Sequence, residues 1–510
     1  MKRMENLRHI RILSLAAALA FTLSACGRDV QNAGDGANVA LPEPPALERQ
    51  QILGERSDLD SLEITLYCAT DGSSELTSVT RTVHIRENES PLHAVLLELL
   101  NDTPGGGALL VGSAEAQLLD VEFGSGVATV RLALDAGVNR TEQDYLLLYS
   151  SIANTLLGME GVQAVNLIAG DRSIPVCALP TGAILQPEGN TAAAYAQMQV
   201  ESERFLSGNA ASLTRNALLY FPSADGKYLL PEPRTLSFSS PDYALTLIEA
   251  LKSGPEARAC CFAAMPGNQD LLVAAPELHI NDAGERVLDV EFSSTLPSYL
   301  AMAGVEPWQI YGSLALTLLS FIPDLGALRI SIDGVYVTEC AMPDGRRVQF
   351  EDALMRREDY AFLIGGSAQF YFAREDGTLA AAECAVSQSA STSPASILSE
   401  MIAIGAPGQS GLSSVFPQGI STEDILGVYV ENHTAVVNLS GNFYTRCQLL
   451  DASQERMLIY GMVNALAELD SVGAVSFLVE GRQVDSLSQG IYLKSPLMPD
   501  PGLVSQSDPG

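Results

Sequence analysis

Short runs of alternating apolar and polar residues are separated in this chain by longer segments with the apolar period of a helix. Residues 62–68 and 79–86 alternate in this way around a turn-rich segment, which predicts two paired strands. Ser90 and Pro91 then favour a helix start, because serine caps a first turn and proline fits the first helical position. The apolar side of that helix is formed by Leu92, Val95, Leu96 and Leu99.

The next segment predicts a second hairpin and a second helix. Residues 118–123 and 127–134 alternate around Gly124-Ser125-Gly126, a sequence that suits a tight turn. Thr141 is placed to cap a long helix, and an apolar strand at residues 165–169 follows that helix. Together these elements make one compact structural unit.

This order of elements occurs three times. The helical segment 149–157 matches 311–319 without a gap, and a third version begins at Tyr460. Each version is followed by a similar strand-like run, and these runs are residues 162–167, 325–330 and 472–477. Several elements repeated in one order predict a tandem array of a single unit.

The repeats predict an α+β fold, a tandem repeat of small units in which a mixed β-sheet is packed by two helices. The units are expected at residues 59–187 (first unit), 214–347 (second unit) and 367–495 (third unit). Charged helical patterns between them predict helical connectors, with flexible linkers as the alternative. The other segments are a signal peptide at 1–25, a flexible tether at 26–58, connectors at 188–213 and 348–366, and a disordered tail at 496–510.

The N-terminus has the features of a bacterial lipoprotein signal. Basic residues precede an apolar run at 12–23 that is too short to span a membrane in the mature protein. The run ends in a lipobox, in which Leu23, Ser24 and Ala25 are followed by Cys26, the residue whose thiol takes diacylglycerol. We therefore expect cleavage before Cys26 and a protein held at the extracytoplasmic face of a membrane.

The charge of the chain limits how it can bind. A formal charge of −32 disfavours nucleic acid and anionic membrane surfaces. Loss of the signal peptide, which carries four basic residues and one acidic residue, brings the charge to −35. Membrane attachment is therefore expected to depend on the lipid at Cys26 rather than on electrostatic attraction.

No pattern in the chain predicts catalysis or a cofactor. The five His and eight Cys show no metal-ligand spacing, and the sequence has no nucleophile elbow or phosphate-binding loop. The many carboxylates are expected to form a solvated surface rather than an acid–base pair. We predict a non-enzymatic protein with no catalytic residue, no metal and no cofactor.

Two further features leave alternatives open. Cys68 and Cys177, near the start and the end of the first unit, form a disulfide or remain buried thiols. Trp308, the only tryptophan, is an interface anchor or packs at the start of the helix that it begins.

The repeated order resembles the GerMN domain of the GerM family of sporulation and spore-germination lipoproteins. The third unit carries the resemblance most fully, in Phe416-Pro417-Gln418-Gly419 before a strand, in residues 434–440, and in Val472-Gly473-Ala474-Val475. The resemblance covers most of residues 60–490, with three units in place of the family's usual pair.

The resemblance implies a membrane-anchored interaction or scaffold protein without enzymatic activity, acting in sporulation or spore germination between the membranes of the developing spore. The partners that it implies are proteins of a sporulation channel or envelope complex. Exposed sheet edges add self-association as an expectation. The alternative function is that of an extracytoplasmic lipoprotein that binds a solute or a cell-wall fragment.

Overall fold

Each predicted repeat folds as a two-stranded hairpin, a helix, a four-stranded sheet and a long helix. The predicted α+β fold of repeated small units is confirmed. The computed structural model describes residues 60–69, 75–85, 89–100, 116–134, 140–267, 270–391, 393–406, 411–469, 471–488 and 490–505, which all belong to one compact unit, Leu47–Gly510.

We call the two-stranded element the leading hairpin and the four-stranded element the repeat sheet. In each repeat sheet the first two strands form a hairpin, the third lies parallel to the second, and a short fourth strand turns back on the third. A parallel pair needs a crossover connection, and the long helix supplies it. The long helix packs on one side of the repeat sheet, and we call the opposite side the outer sheet face.

The first unit has a two-residue turn in its sheet hairpin. Ser125 and Gly126 both have positive φ, as the two-residue turn of the sheet hairpin requires. Thr141 caps the long helix in a capping box with Asp144, in agreement with the sequence. The elements are the leading hairpin Asp60–Ala69 and Leu76–Ile85, the helix Pro91–Leu100, the sheet strands Ala116–Gly124, Val127–Leu134, Ala164–Ala169 and Arg172–Ser173, the long helix Glu142–Leu157, and a ribbon of Pro175–Val176 and Leu179–Pro180.

The second unit adds a short helix before its long helix. Pro307 occupies the first turn of the long helix, where its missing N–H leaves no backbone bond unmade. The elements are the leading hairpin Leu213–Pro222 and Leu229–Phe238, the helices Tyr243–Ser253 and Leu296–Ala303, the long helix Pro307–Phe321, the sheet strands Glu277–Ile280, Arg286–Phe292, Leu325–Ile332 and Val335–Tyr336, and a ribbon of Glu339–Ala341 and Arg347–Gln349.

The third unit repeats this plan. Asp451 caps its long helix in a capping box with Gln454. The elements are the leading hairpin Gly365–Arg374 and Leu379–Ser387 with a third strand Leu412–Ser413, the helices Pro394–Ile404 and Gly441–Cys447, the long helix Ala452–Ala467, the sheet strands Ile425–Glu431, Thr434–Leu439, Ala474–Val479 and Arg482–Gln483, and the 3₁₀ turns Gln388–Ser391, Thr422–Asp424 and Pro501–Leu503.

The segments between units are short and partly helical. Thr191–Leu206 is a helix capped by Asn190, and it precedes the second unit. The segment before the third unit has only two helical turns, Glu351–Ala353 and Glu358–Ala361. Helical structure is therefore present where the sequence predicted helical connectors.

The chain that leaves each unit adds to the repeat sheet of that unit. A reciprocal pair of backbone hydrogen bonds joins the third strand of each sheet to the departing chain, in the pairs Val165 and Ile184, Leu328 and Met355, and Val475 and Leu497. The departing chain leads to the next unit in the first two cases. In the third case it is the C-terminal tail.

The C-terminal tail, predicted to be disordered, is ordered over residues 496–505. Residues 496–505 are ordered against the third unit, because Leu497 pairs with Val475 and the N–H of Ser505 donates to the carbonyl of Leu379 at 2.8 Å. Leu503 is buried. The proline- and aspartate-rich composition that suggested disorder is compatible with backbone pairing and one apolar anchor. Residues 506–510 lie outside the described residues.

The apolar cores show how the first two units are joined. Ala128 and Val165 face the long helix of the first unit and belong to its own core. Val127 and Ala164, their neighbours on the outer sheet face, belong instead to the core of the second unit. The first repeat sheet is therefore buried on both sides, and the third unit has a core of its own.

Candidate functional site: the junction of the three units

Some of the buried charged groups of this chain hold its units together. In the described residues no group of three or more His, Cys, Asp or Glu is arranged to hold a metal ion. Among the buried charged side chains, Arg357 and Glu122 lie where one unit meets another, whereas Glu232, Arg234 and Glu455 bond within their own units. The junction between the units is therefore the candidate functional site.

Arg357 links the segment before the third unit to the first repeat sheet. Its guanidinium donates from Nη1 to Oε1 of Glu122 at 2.7 Å and from Nη2 to Oε2 of the same carboxylate. Glu122 faces outward from its strand, and Arg357 has 0% exposed surface. Tyr220 of the second unit interacts with both Arg357 and Thr129. One salt bridge thus brings parts of three segments together.

Electrostatics keep the buried Arg357 guanidinium charged. Burial alone would lower the pKa of the Arg357 guanidinium, but Glu122 and Tyr220 together raise that pKa above its usual value. Burial raises the pKa of the Tyr220 phenol, with Arg357 opposing that effect. An arginine and a carboxylate in bidentate geometry form strong hydrogen bonds, which offset much of the free-energy cost of removing both charges from water.

Arg258 of the second unit contacts both other units. Its Nη2 donates to the carbonyl of Ser125 in the first unit at 2.6 Å. Its Nη1 donates to the hydroxyl of Ser367 at 3.2 Å and to the carboxylate of Glu383 at 3.1 Å, both in the third unit. The backbone N–H of Ala259 also donates to Glu383, at 3.1 Å. We call these five residues the three-unit junction.

The backbones of the first and third units come unusually close beside the three-unit junction. A Cβ placed on Gly124 would lie 2.5 Å from the carbonyl oxygen of Gly365, and one on Gly365 would lie 2.7 Å from Tyr228. Real side chains do not tolerate such distances, so both positions need glycine. The hydroxyls of Ser125 and Ser367 meet across the same contact at 3.3 Å.

A further carboxylate, that of Glu285, joins the second unit to the first unit and to the segment before the third. It lies in the sheet-hairpin turn of the second unit and accepts from Arg172 of the first unit at 3.3 Å. It also accepts two bonds from Arg356, one of them at 3.0 Å. The hydrogen bond from Arg356 is the main reason that the pKa of Glu285 lies below its usual value.

The residues of the predicted lipid attachment site lie outside the described residues. These are Leu23, Ser24, Ala25 and Cys26. In the part of the chain that the structure describes, no helix is long and apolar enough to cross a membrane.

Cys68 and Cys177 are free thiols, so the disulfide alternative is wrong for this structure. Both side chains are buried in the core of the first unit. Burial raises the pKa of the Cys68 thiol, and burial with the nearby Glu142 raises that of Cys177 to about 11. Thiols of such high pKa are little ionised at neutral pH and react slowly.

Trp308 packs inside its own unit and is not an exposed anchor. It is 2% exposed and lies in the first turn of the long helix, within the core of the second unit. The interface alternative is therefore wrong, and packing at the helix start is the observed role.

One surface cleft has the volume of a small-molecule site. It measures about 520 Å³ and is lined by Arg234, Thr246, Ser253 and Glu256 among others. The Arg234 guanidinium is already engaged by the buried carboxylate of Glu232 and by the carbonyl of Gly254 at 2.8 Å. The cleft is mostly polar, unlike the apolar pockets that hold most small ligands, and we assign it no function.

The residues of the junction were missed by the sequence analysis. Glu122, Arg258 and Glu383 look like ordinary outward-facing charges in polar positions. Glu122 could have been found from the sequence because it is a carboxylate in a sheet whose other strands, Val127–Leu134 and Ala164–Ala169, carry apolar residues on both faces. Arg357 carries no comparable signal, because its segment has no periodic pattern.

Comparison with known proteins places one part of the chain in a family. The family model Germane, described as sporulation and spore germination, matches residues 369–485. Among solved structures, the tandem GerMN domains of the sporulation protein GerM from Bacillus subtilis cover 56% of this chain and 98% of their own, with 17% identity and a TM-score of 0.23. The first GerMN domain of that protein covers 26% and 96%, with 15% identity and a TM-score of 0.21. No curated protein sequence matches significantly.

Proposed function

We propose that this chain, whose residues 369–485 form a domain of the sporulation and spore germination family, is a membrane-anchored scaffold that acts in that process outside the cytoplasm. The family match is the observation that supports a role in sporulation and spore germination. The proposed membrane anchor is based on the lipobox that ends in Cys26. The proposed scaffold role is based on the charged contacts between the units.

The scaffold role is supported by the junction itself. The charged groups of Arg258, Arg357 and Glu285 form salt bridges and hydrogen bonds between the units. In an enzyme, such groups would be directed toward a substrate. Three similar units also offer several similar surfaces to other proteins. We therefore infer that the protein works by binding partners rather than by chemistry, and that its partners belong to a spore-envelope or channel complex.

Membrane attachment is tested with the full chain in its own host. Cells carrying the wild type and Cys26→Ala are fed a labelled fatty acid and fractionated. We expect label and membrane association in the wild type and neither in Cys26→Ala. Cys68→Ala is the matched control, because its thiol is buried in a folded unit, and it should behave as the wild type. Equal membrane association of Cys26→Ala and the wild type would refute the anchor.

The role in sporulation is tested by deletion and rescue. Heat-resistant spores and germination rates are counted in the deletion strain, and we expect a defect that the wild-type gene repairs. Affinity capture from sporulating cells should then recover envelope proteins with the wild type. A host that forms no spores, or a deletion strain with normal spores and normal germination, would show that the proposed process is wrong.

A further inference from the structure

The chain that leaves a unit is held at two points in the first and third units. The first point is the backbone pair with the third sheet strand, which joins Val165 to Ile184 and Val475 to Leu497. The second point lies a few residues further along, where an asparagine of the long helix bonds both backbone groups of one residue. We call this second contact the asparagine clamp.

The two asparagine clamps make the same bonds. In the first unit, Asn154 Nδ2 donates to the carbonyl of Glu188 at 2.9 Å, and Asn154 Oδ1 accepts from the N–H of Glu188 at 2.8 Å. In the third unit, Asn464 makes the same two bonds with Asp500, at 3.4 Å and 2.9 Å. The two asparagines occupy the same position in their long helices, and both are buried. A carboxamide, with its donor and its acceptor side by side, suits the backbone of an extended chain.

The two held segments also share a sequence pattern. Both have two apolar residues followed by a proline and an acidic residue, with one extra residue in the first segment. The segments are Ile184-Leu185-Gln186-Pro187-Glu188 and Leu497-Met498-Pro499-Asp500. The first residue of each packs against the core of its unit. The acidic side chain of each accepts the backbone N–H two residues further on, at 2.9 Å and 3.0 Å. We call this pattern the apolar–proline–acid motif.

The second unit has a different residue at the clamp position and a different departing segment. Leu316 stands at the position of Asn154, and its side chain has no hydrogen-bonding group. The residue after each is a threonine whose hydroxyl accepts an N–H from the leading hairpin, which fixes this alignment. The departing chain still pairs at Met355, but arginines follow it where the other units have a proline and an acidic residue. The asparagine and the motif therefore occur together, as expected if one recognises the other.

Each part of the motif has a physical role in this contact. Proline fixes its own φ and favours an extended residue before it, so the segment loses little conformational freedom when it is held. In the third unit Arg456 also donates to Oδ2 of Asp500 at 2.9 Å, which favours an acidic residue at this position. We call the site formed by Arg456, Asn464 and Val475 the tail groove.

The tail fills this groove with few buried contacts. Met498 is 71% exposed, and most residues between Leu497 and Leu503 are exposed. Segments with few buried apolar contacts open at a low free-energy cost. The equivalent segment of the first unit leads into the helix Thr191–Leu206 and the second unit, which pack on the first unit and hold it in place. The tail can therefore be displaced, whereas the first segment is fixed.

We propose that the tail groove is a docking site for an extended segment of another protein that carries the apolar–proline–acid motif. The tail is then an intramolecular competitor that occupies the groove until such a segment displaces it. The contacts that hold the tail select the partner: a strand backbone pair, the asparagine clamp and the Arg456 guanidinium. A competitor on the same chain has an effective concentration of about millimolar, so the unmodified protein binds such segments weakly. This inference does not depend on the role in sporulation.

The affinity test uses the purified full chain and a fluorescent peptide with the sequence of residues 494–505. In a released-tail variant, Leu497→Ser and Asp500→Gly remove the motif from the tail of the full chain. Fluorescence anisotropy should show the peptide binding this variant at least about tenfold more tightly than the wild type, because the competitor is lost. A peptide carrying Asp500→Lys should bind the variant at least about tenfold more weakly than the unchanged peptide.

Matched substitutions locate the binding site. Asn464→Ala, added to the released-tail variant, should weaken peptide binding at least about tenfold. Asn154→Ala, the same change in the occupied clamp of the first unit, should leave binding unchanged. Circular dichroism checks that each variant folds, and the lysine peptide tests the groove without any further change in the protein. The proposal is overturned by no binding to the released-tail variant, by equal binding to the wild type, by equal binding of the two peptides, or by equal effects of the two asparagine substitutions.

A crosslinking experiment in the host tests the partner. A photoreactive phenylalanine replaces Gln483, an exposed residue whose amide donates to the carbonyl of Lys494 at 2.9 Å, beside the groove. We expect a product with another protein, and mass spectrometry should map the crosslink to a segment that contains the apolar–proline–acid motif. Asn464→Ala should reduce this product. Crosslinks only to residues 496–505 of the same chain or of a second copy, or only to segments without the motif, would show that the groove does not serve such a partner.

Discussion

Arg357 has no exposed surface, and its charge is balanced by one carboxylate that lies 235 positions away in the chain. A buried pair of this kind adds little stability over well-packed apolar groups, but loss of one member leaves a charge without a partner in a dry environment. At the scale of single residues, the pair therefore acts mainly to fix where the segment before the third unit lies on the first unit.

Removing the partner of Arg357 should destabilise the protein strongly. We expect Glu122→Gln to lower the free energy of unfolding by about 3–5 kcal/mol, because the guanidinium stays buried and uncompensated. Urea unfolding at neutral pH measures this change. The double substitution Glu122→Leu with Arg357→Met should lower the free energy of unfolding by less than Glu122→Gln alone does.

An exposed pair supplies the control for that experiment. Arg347 and Glu339 also form a salt bridge, but their side chains are 65% and 43% exposed. Glu339→Gln should change stability by less than about 0.5 kcal/mol, since water solvates both charges. If Glu122→Gln cost no more than Glu339→Gln, the assigned role of the buried pair would be wrong.

Glu285 makes the contact between the units sensitive to acid. Its pKa is lowered in the folded protein, chiefly by the hydrogen bond from Arg356. A lowered folded pKa contributes stability that is present above the unfolded value of about 4.3 and is lost as the pH falls through the folded value. The stability difference between the wild type and Glu285→Gln should therefore shrink as the pH falls from about 5 toward the folded pKa, as urea titrations at several pH values can measure. A difference that stays constant over this range would exclude the assigned ion pair.

At the scale of elements, the hairpins and long helices could be predicted because each carries its own apolar period. The repeat sheet of the third unit alternates residue by residue, and Thr141 and Pro307 mark helix starts by their local chemistry. Boundaries and caps are local properties, so local sequence is sufficient for them.

The contacts between elements of different units could not be predicted in the same way. Thr129 and Asn166 are polar residues that read as solvent-facing, yet the leading hairpin of the second unit buries them. Trp308 was open to two interpretations because its burial depends on the core of the whole second unit, whose packing no local pattern specifies. Residues of the junction separated by more than 100 positions meet only after the units have packed.

The tail is an element whose contribution can be measured. Leu497 extends the third repeat sheet and Leu503 is buried, so loss of residues 496–510 should remove both contacts. We expect the truncated chain to unfold with about 2–4 kcal/mol less stability in the third unit. Hydrogen exchange at the amides of Ala474–Val479 reports this loss.

A shorter truncation is the control for the tail. Removal of residues 506–510 alone keeps Leu497, Leu503 and the bond from Ser505 to Leu379. We expect exchange at Ala474–Val479 to match the full chain. Equal effects of the two truncations, or no effect of the longer one, would show that the tail does not stabilise the third repeat sheet.

At the scale of the whole molecule, the first and second units share one apolar core and should therefore unfold cooperatively. The outer sheet face of the first unit contributes Val127 and Ala164 to the core of the second, and the ribbon of the first unit contributes Leu179. In the described residues, the main core of the third unit shares no apolar residue with either. It meets them through the polar three-unit junction and through a small apolar cluster of Leu230, Cys260 and Ala385. Shared apolar cores couple unfolding more strongly than partly exposed polar contacts do.

This difference predicts how damage to one unit spreads. Leu316→Ala, in the long helix of the second unit, should cost about 2–5 kcal/mol and also lower hydrogen-exchange protection in the strand Val127–Leu134 of the first unit. Met462→Ala, in the long helix of the third unit, should lower protection in Thr434–Leu439 and leave Val127–Leu134 nearly unchanged. Both side chains are 0% exposed, so the two variants are matched in burial.

The comparison distinguishes a rigid array from a string of independent units. If Leu316→Ala left protection of Val127–Leu134 unchanged, the shared core would not couple the first two units. If Met462→Ala lowered that protection as much as Leu316→Ala, the polar junction would transmit unfolding as well as an apolar core does. The expected pattern, with strong coupling between the first two units and weak coupling to the third, leaves the third unit free to respond to a partner without loosening the body that carries it.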